Sequence, residues 1–205
     1  MQRLRLFRIA QWRGKIHLTV PLLLFSFLLG MAYGVLMLSS ETAISGQFIF
    51  LTQEYTLRQQ SQTILELFFS SFSSSFFFIA LPYFSGYSAV GQPVAFLVPC
   101  FKGLGLGAFM GDLYLTQGIA GVGYCLLVLM PYLLIALFSM MIACRESFRL
   151  SNLFFFSFAG KNPVPVNGNC IRLYNVKFLI LCGLVIVSAI VSVLCTFLFS
   201  GWFVF

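Results

Sequence analysis

The stretch LYLTQGIAGVGYCLLVLMPYLLIALFSMMIAC, residues 113–144, contains no charged residue. A helix needs about 20 apolar residues to cross the hydrocarbon core of a bilayer, and this stretch predicts one such span at residues 121–144. The whole chain is similar, with 60% hydrophobic and 8% charged residues, whereas a soluble domain has roughly 25% charged residues. The sequence therefore predicts an all-α, polytopic transmembrane helix bundle.

Stretches with no charged residue or only one define four further spans elsewhere in the chain. Residues 67–101 also carry no charge but are too long for one helix, and proline and glycine residues interrupt them, so this segment is divided in two. An alternative with four spans stays open, in which residues 92–111 are re-entrant. The predicted spans of this single integral membrane domain, residues 1–205, are 18–39, 64–84, 92–111, 121–144 and 176–204.

Basic residues indicate how the chain is oriented. Five of them and no acidic residue precede the first span, and the loop at residues 145–175 is also basic. The positive-inside rule predicts that both segments are cytoplasmic. Residues 40–63 are then outside, with the composition of an amphipathic segment. The chain has a net charge of +7, and its basic residues lie mostly next to the spans. This placement favours contact with membrane lipids over binding of nucleic acid.

The chain has no recognisable catalytic set. His17 is its only histidine and Asp112 its only aspartate. A serine–histidine pair needs side chains within hydrogen-bond reach, and a catalytic zinc needs about three protein ligands. The sequence predicts no catalytic residue, no metal site and no cofactor, and hence a protein that is not an enzyme.

Glycine and serine residues predict where helices pack together. Gly103 and Gly107 form one G-x-x-x-G motif, and Gly107 and Gly111 form a second in the same register. This spacing places a flat groove on one face of a helix, into which a neighbouring helix fits closely. The serines of FFSSFSSSFFF, residues 68–78, predict a second helix–helix contact face, with a polar channel lining as the alternative.

Lys102 and Asp112 are the charged residues nearest to this groove. Charge inside a membrane is costly and often marks a functional site. Ten residues separate the two along one helix, or roughly 15 Å, so they cannot form an ion pair within it. We interpret Asp112 as the outer boundary of the third span. Lys102 is either satisfied by neighbouring helices or part of a transport site.

The pattern of glycine and proline in residues 86–151 resembles the core of the stage II sporulation protein M family. The shared order runs from Gly91-Gln92-Pro93 to Phe101-Lys102-Gly103, then to a Leu-x-Pro step ending at Pro131, and then to a basic exit at Arg145 and Arg149. One departure is that Pro131 precedes Tyr132 and two leucines, where the family commonly has polar residues.

The resemblance implies a multi-pass protein of the cytoplasmic membrane of endospore-forming bacteria. Such a protein is a non-enzymatic scaffold for septal peptidoglycan remodelling during engulfment, with a lytic transglycosylase and an endopeptidase or amidase as partners. The alternative function is a permease-like component that works with a cytoplasmic ATPase. The sequence does not decide between a monomer and a homo-oligomer. The resulting candidates for helix packing or structure are Gly91, Pro93, Lys102, Gly103, Gly107, Gly111, Asp112 and Pro131.

Overall fold

The computed structural model describes residues 2–39, 64–88, 91–158 and 168–199, and side chains from residue 19 onward. In this part of the chain 97% of the residues are helical and none is in a strand. The helices are α1 (Gln2–Ser39), α2 (Ile64–Gly86), α3 (Gln92–Gln117), α4 (Ile119–Tyr124), a π-helical turn (Cys125–Leu129), α5 (Met130–Phe158) and α6 (Gly168–Phe199).

Five segments of these helices are long and apolar enough to cross a membrane. Their bounds are Thr19–Met37, Ile64–Gly86, Gln92–Gln117, Gly121–Phe155 and Cys170–Leu198. The predicted all-α bundle with five spans is confirmed, and the protein is a multi-pass membrane protein. Because α3 is one continuous helix of 26 residues, about 39 Å long at 1.5 Å per residue, it spans the bilayer and is not a short re-entrant turn.

Successive spans alternate in direction, and α3 lies at the centre. Ser26 of α1 donates a hydrogen bond to the carbonyl oxygen of Phe96 in α3 at 2.8 Å, and these two helices run parallel. By contrast, α2 runs antiparallel to α6, with Ser71 opposite Ser192 near one end. More than half of the α3 span is buried (56%), compared with 22% of the α1 and α2 spans.

Two apolar clusters hold the helices together, and α5 contributes to both. The first joins α3, α5 and the π-helical turn to two α1 residues, Leu23 and Phe27. The second joins α2, α5 and α6 around Ile79, Tyr174 and Phe178. The lipid-facing sides are rich in exposed leucine and phenylalanine, as expected for helices whose solvent is hydrocarbon.

Several helices extend beyond the predicted spans, because charged residues mark the edge of the apolar segment and not the end of the helix. Asp112 does not end α3, which continues to Gln117 and stops at Gly118. The predicted loop at 145–175 is helical at both ends, since α5 continues to Phe158 and α6 begins at Gly168. Arginine and glutamate favour helices, so Arg145 and Glu146 extend α5. Residues 159–167 of this loop, and the predicted outer segment at 40–63, lie outside the described residues.

Candidate functional site

The closest helix contact in the described bundle lies between α1 and α3. A Cβ atom added to Gly103 would contact the backbone of Phe27 and Met31, and one added to Gly107 would contact the carbonyl of Met31. Glycines of α1 do the same from the other side, with Gly30 against Cys100 and Gly34 against Leu104. We call these four glycines, Gly30, Gly34, Gly103 and Gly107, the glycine seam.

The seam occupies the groove that the G-x-x-x-G spacing predicts. The structure places Gly103 and Gly107 in it, whereas Gly111 is only half-buried, one turn further along α3. The sequence prediction missed Gly30 and Gly34, although GMAYG at residues 30–34 is also a G-x-x-x-G motif. Since lipid is as apolar as leucine, close approach of small residues is what drives such helices together.

Lys102 lies on the α2 side of α3, with only 5% of its surface exposed. Its Nζ donates a hydrogen bond to Ser74 Oγ at 3.2 Å and lies 4.8 Å from the centroid of the Phe78 ring. Ten residues from the start of α3, it is about 15 Å into the span, or half of a hydrocarbon core of about 30 Å. The ammonium group is therefore held between two helices at mid-membrane depth.

Other buried hydroxyl groups also link neighbouring helices. Ser71 Oγ lies 3.2 Å from Ser192 Oγ of α6 and also donates to the carbonyl of Leu67 in its own helix. Ser188 Oγ of α6 donates to the carbonyl of Tyr132 at 3.0 Å. Ser71 and Ser75 are buried but Ser73 is exposed, so only part of the predicted serine face packs against other helices.

Asp112 does not approach Lys102. It is half-buried near the far end of α3, and its backbone carbonyl accepts a hydrogen bond from Thr116 Oγ1 at 2.8 Å. Since both residues belong to one continuous helix, the separation of about 15 Å predicted from the sequence stands. The structure therefore does not unite these two charges in one site.

Pro131 lies two residues after the end of the π-helical turn. Proline has no backbone N–H and its ring clashes with the carbonyl of the residue four positions earlier. The chain widens before the proline, and the N–H of Met130 bonds the carbonyl of Cys125, five residues earlier. Pro131 thus marks a local change of helical winding within the continuous segment from α4 to α5. Such π-helical turns occur often at functional sites.

Gly91 and Pro93 shape the start of α3. The N–H of Gly91 donates to the carbonyl of Ser88 at 3.2 Å, and a Cβ at this glycine would contact the backbone of Ser85. Pro93 lies in the first helical turn, where its missing N–H costs nothing. Both residues therefore serve the tight turn between α2 and α3.

A group of tyrosines lies at the end of the bundle where α2 ends and α6 begins. We call Tyr83, Tyr87 and Tyr174 the tyrosine cluster. The Tyr83 and Tyr174 rings stack with centroids 5.7 Å apart, and Tyr87 meets Tyr174 edge-on at 5.5 Å. Tyr174 donates to the carbonyl of Tyr83 at 3.0 Å, and Tyr87 bonds Asn175 Oδ1.

More polar contacts surround this cluster at the same end of the bundle. Lys177 of α6 pairs with Glu146 of α5 at 2.8 Å, and Gln92 of α3 donates to Asn152 Oδ1 at 2.6 Å. We call this end, which also carries Arg145, Arg149 and Arg172, the basic end. Tyrosine and basic residues are both enriched where spans meet the headgroups. The sequence prediction missed the cluster because its members come from the end of α2, the turn that follows it, and α6, about 90 residues further along the chain.

Tyr87 is the member of the cluster that lies just beyond its span. Partial burial, together with the neighbouring hydroxyl of Tyr83, raises the pKa of Tyr87 to about 12, and the hydrogen bond to Asn175 opposes part of this rise. The phenol is therefore neutral under ordinary conditions and acts as a hydrogen-bond donor. This role suits an interhelical contact.

The described residues contain no group of three or more histidine, cysteine, aspartate or glutamate side chains that could hold a metal ion. What they present is a set of helix contacts: the glycine seam, the Lys102 contact with α2, the buried hydroxyls and the tyrosine cluster. No protein-family model, curated protein or solved structure matches the chain. Its own geometry thus identifies it as a multi-pass helical membrane protein.

Proposed function

We propose that the protein is a non-enzymatic membrane scaffold that holds partner proteins together at the bilayer. The observation that carries this proposal is the use of polar side chains within the described spans. Ser26, Ser188 and Gln92 bond groups on neighbouring helices, and the lysine at mid-membrane depth is packed against α2. Their roles are therefore those of contacts that fix one helix against another.

The sporulation setting of this scaffold rests on the resemblance of residues 86–151 to the stage II sporulation protein M family. Under this hypothesis the partners are a lytic transglycosylase and an endopeptidase or amidase, and the complex remodels septal peptidoglycan in the bacterial cytoplasmic membrane. The proposed orientation, with the basic end in the cytoplasm, follows from the positive-inside rule.

Affinity purification from sporulating membranes tests this proposal. We expect the full-length protein to copurify with wall-cleaving enzymes, and deletion of the chain to arrest engulfment. A variant that disrupts the glycine seam, Gly107→Ile, should lose these partners, whereas Gly183→Ile should retain them because nothing lies within 4 Å of a Cβ at that position. Complexes without any wall-cleaving enzyme, together with normal engulfment after deletion, would contradict the sporulation scaffold.

The second candidate function is a permease-like component, which the position of Lys102 favours. A lysine at the centre of a helix costs about 2.5–3.5 kcal/mol by insertion scales, and such residues often mark a solute path. The discriminating measurement is solute flux in proteoliposomes, with and without a cytoplasmic ATPase. Flux that is lost in Lys102→Met but retained in Ser73→Ala, an exposed serine on α2, would favour transport over the scaffold.

A further inference from the structure

Arg145 and Arg149 lie one turn apart on α5, at the basic end. Arg149 is exposed and Arg145 is half-buried. Within the described part of the chain, neither guanidinium group has a hydrogen-bond or ion-pair partner. Lys177 differs, because Glu146 already neutralises it at 2.8 Å. The two arginines therefore form a doubly positive surface that other described side chains leave open.

The same side of α5 is apolar further into the span. Leu134 and Phe138 precede the arginines at helical spacing, and they are 62% and 65% exposed. Leu134 is eleven residues from Arg145, or about 16 Å along the helix, which is close to the thickness of one leaflet. The outer side of α5 thus combines a cationic end with an apolar strip as long as an acyl chain.

We propose that this face of α5 binds one anionic phospholipid, with its phosphate between Arg145 and Arg149 and an acyl chain along Phe138 and Leu134. Guanidinium groups bind phosphate through paired hydrogen bonds, so charge complementarity selects an anionic headgroup. The apolar strip selects a lipid over a free phosphate ion. The site is independent of the proposed function, since a scaffold and a permease would bind this lipid equally well.

General attraction of basic residues to an anionic membrane is the competing explanation, and it makes a different prediction. It contributes about 1 kcal/mol for each basic side chain near the surface, regardless of position, which is about fivefold in binding. A specific lipid-binding site instead predicts that the effect of removing a positive charge depends on the position of that residue in the protein. Arg172 of α6 is the matched control, because it is also exposed and at the same end of the bundle.

The test measures dioleoylphosphatidylglycerol retained by the purified full-length protein, by native mass spectrometry after mild delipidation. We expect about one lipid per chain, preferred over dioleoylphosphatidylcholine. Retention should fall by more than about 30-fold in Arg145→Gln/Arg149→Gln, since general attraction alone would give about 30-fold for two charges, and by less than twofold in Arg172→Gln. Arg149→Lys should bind between the wild type and Arg149→Gln. Because neither arginine has a hydrogen-bond or ion-pair partner among the described residues, circular dichroism should show unchanged folding.

Three results would overturn the proposal. The first is equal loss of phosphatidylglycerol in Arg149→Gln and Arg172→Gln, which is the result expected for general attraction. The second is equal retention of phosphatidylcholine and phosphatidylglycerol by the wild type. The third is full displacement of the lipid by millimolar inorganic phosphate, which would show that the arginines recognise phosphate without the acyl chain.

Discussion

Replacement of Gly107 by isoleucine tests the glycine seam most directly. A Cβ at this position would lie 2.9 Å from the carbonyl carbon of Met31 and 3.0 Å from its Cα. The carbonyl oxygen of Met31 would lie closer still. Unstrained carbon contacts are about 3.5–4.0 Å, so α1 and α3 must separate locally by about 1 Å or more. All three atoms belong to the backbone and cannot move aside as a flexible side chain would. The outer carbons of isoleucine extend the overlap further.

Overpacked sites lose about 1–3 kcal/mol of the free energy of unfolding, which is about 5- to 150-fold in the ratio of folded to unfolded protein. We expect Gly107→Ile to lie at the upper end of this range. Gly183→Ile is the matched control, because it makes the same change in helix propensity at an open position. The difference in free energy of unfolding between the two variants therefore isolates the packing contribution.

Equilibrium unfolding in detergent micelles by added dodecyl sulfate, followed by circular dichroism, measures this difference. Gly103→Ile should behave like Gly107→Ile, because it meets the same stretch of α1 backbone. If Gly107→Ile and Gly183→Ile unfold with equal free energies, then α1 and α3 do not make the close contact described here.

Three further predictions concern the turn after α3, the buried lysine and the tyrosine cluster. Gly118 has φ +60° and ψ −132°, a conformation nearly restricted to glycine, so Gly118→Ala and Gly118→Asn should each lower the free energy of unfolding by about 1–3 kcal/mol. Wild-type stability of either variant would contradict this prediction. Lys102→Met should change the free energy of unfolding by less than about 1 kcal/mol, because the burial cost of about 2.5–3.5 kcal/mol is offset by contacts that include the hydrogen bond to Ser74 and the Phe78 ring, worth about 2–5 kcal/mol together. A loss well above about 1 kcal/mol in the same assay would show that the contacts outweigh the burial cost. The pKa of Tyr87 is raised from 10.0 to about 12 in the folded protein, so the neutral phenol contributes its full stabilisation below pH 10 and loses it as the pH rises through 12. Between pH 9 and pH 12 the free energy of unfolding should therefore fall less in Tyr87→Phe than in the wild type, and equal falls would refute the raised pKa.

The positions of the spans were predictable because hydropathy acts locally. The free energy of transfer from water to the bilayer of a charge-free stretch such as residues 113–144 depends on its own residues and not on the helices that pack against it. The helix ends were less predictable, since Arg145 ends the apolar segment but favours continuation of the helix. Charge thus indicates where the bilayer ends and not where hydrogen bonding of the backbone ends.

The helix contacts were only partly predictable, because sequence periodicity defines a face but not its partner. Gly103 and Gly107 predicted a groove, yet its occupant, α1, is about 70 residues away in the chain. The same limit hid the tyrosine cluster, which unites Tyr83 with Tyr174. Lys102 was recognised as costly, but its contact with Phe78 depends on how α2 is rotated, which composition does not reveal.

The pairing of α1 with α3 has a consequence for the order of synthesis. Ribosomes release α1 first, so Gly30 and Gly34 face lipid until Gly103 and Gly107 enter the membrane. During that interval the glycine face of α1 has no helix packed against it, although the intervening helix α2 has already been inserted. Membrane chaperones that shield such surfaces would therefore act on this chain between the insertion of its first and third spans.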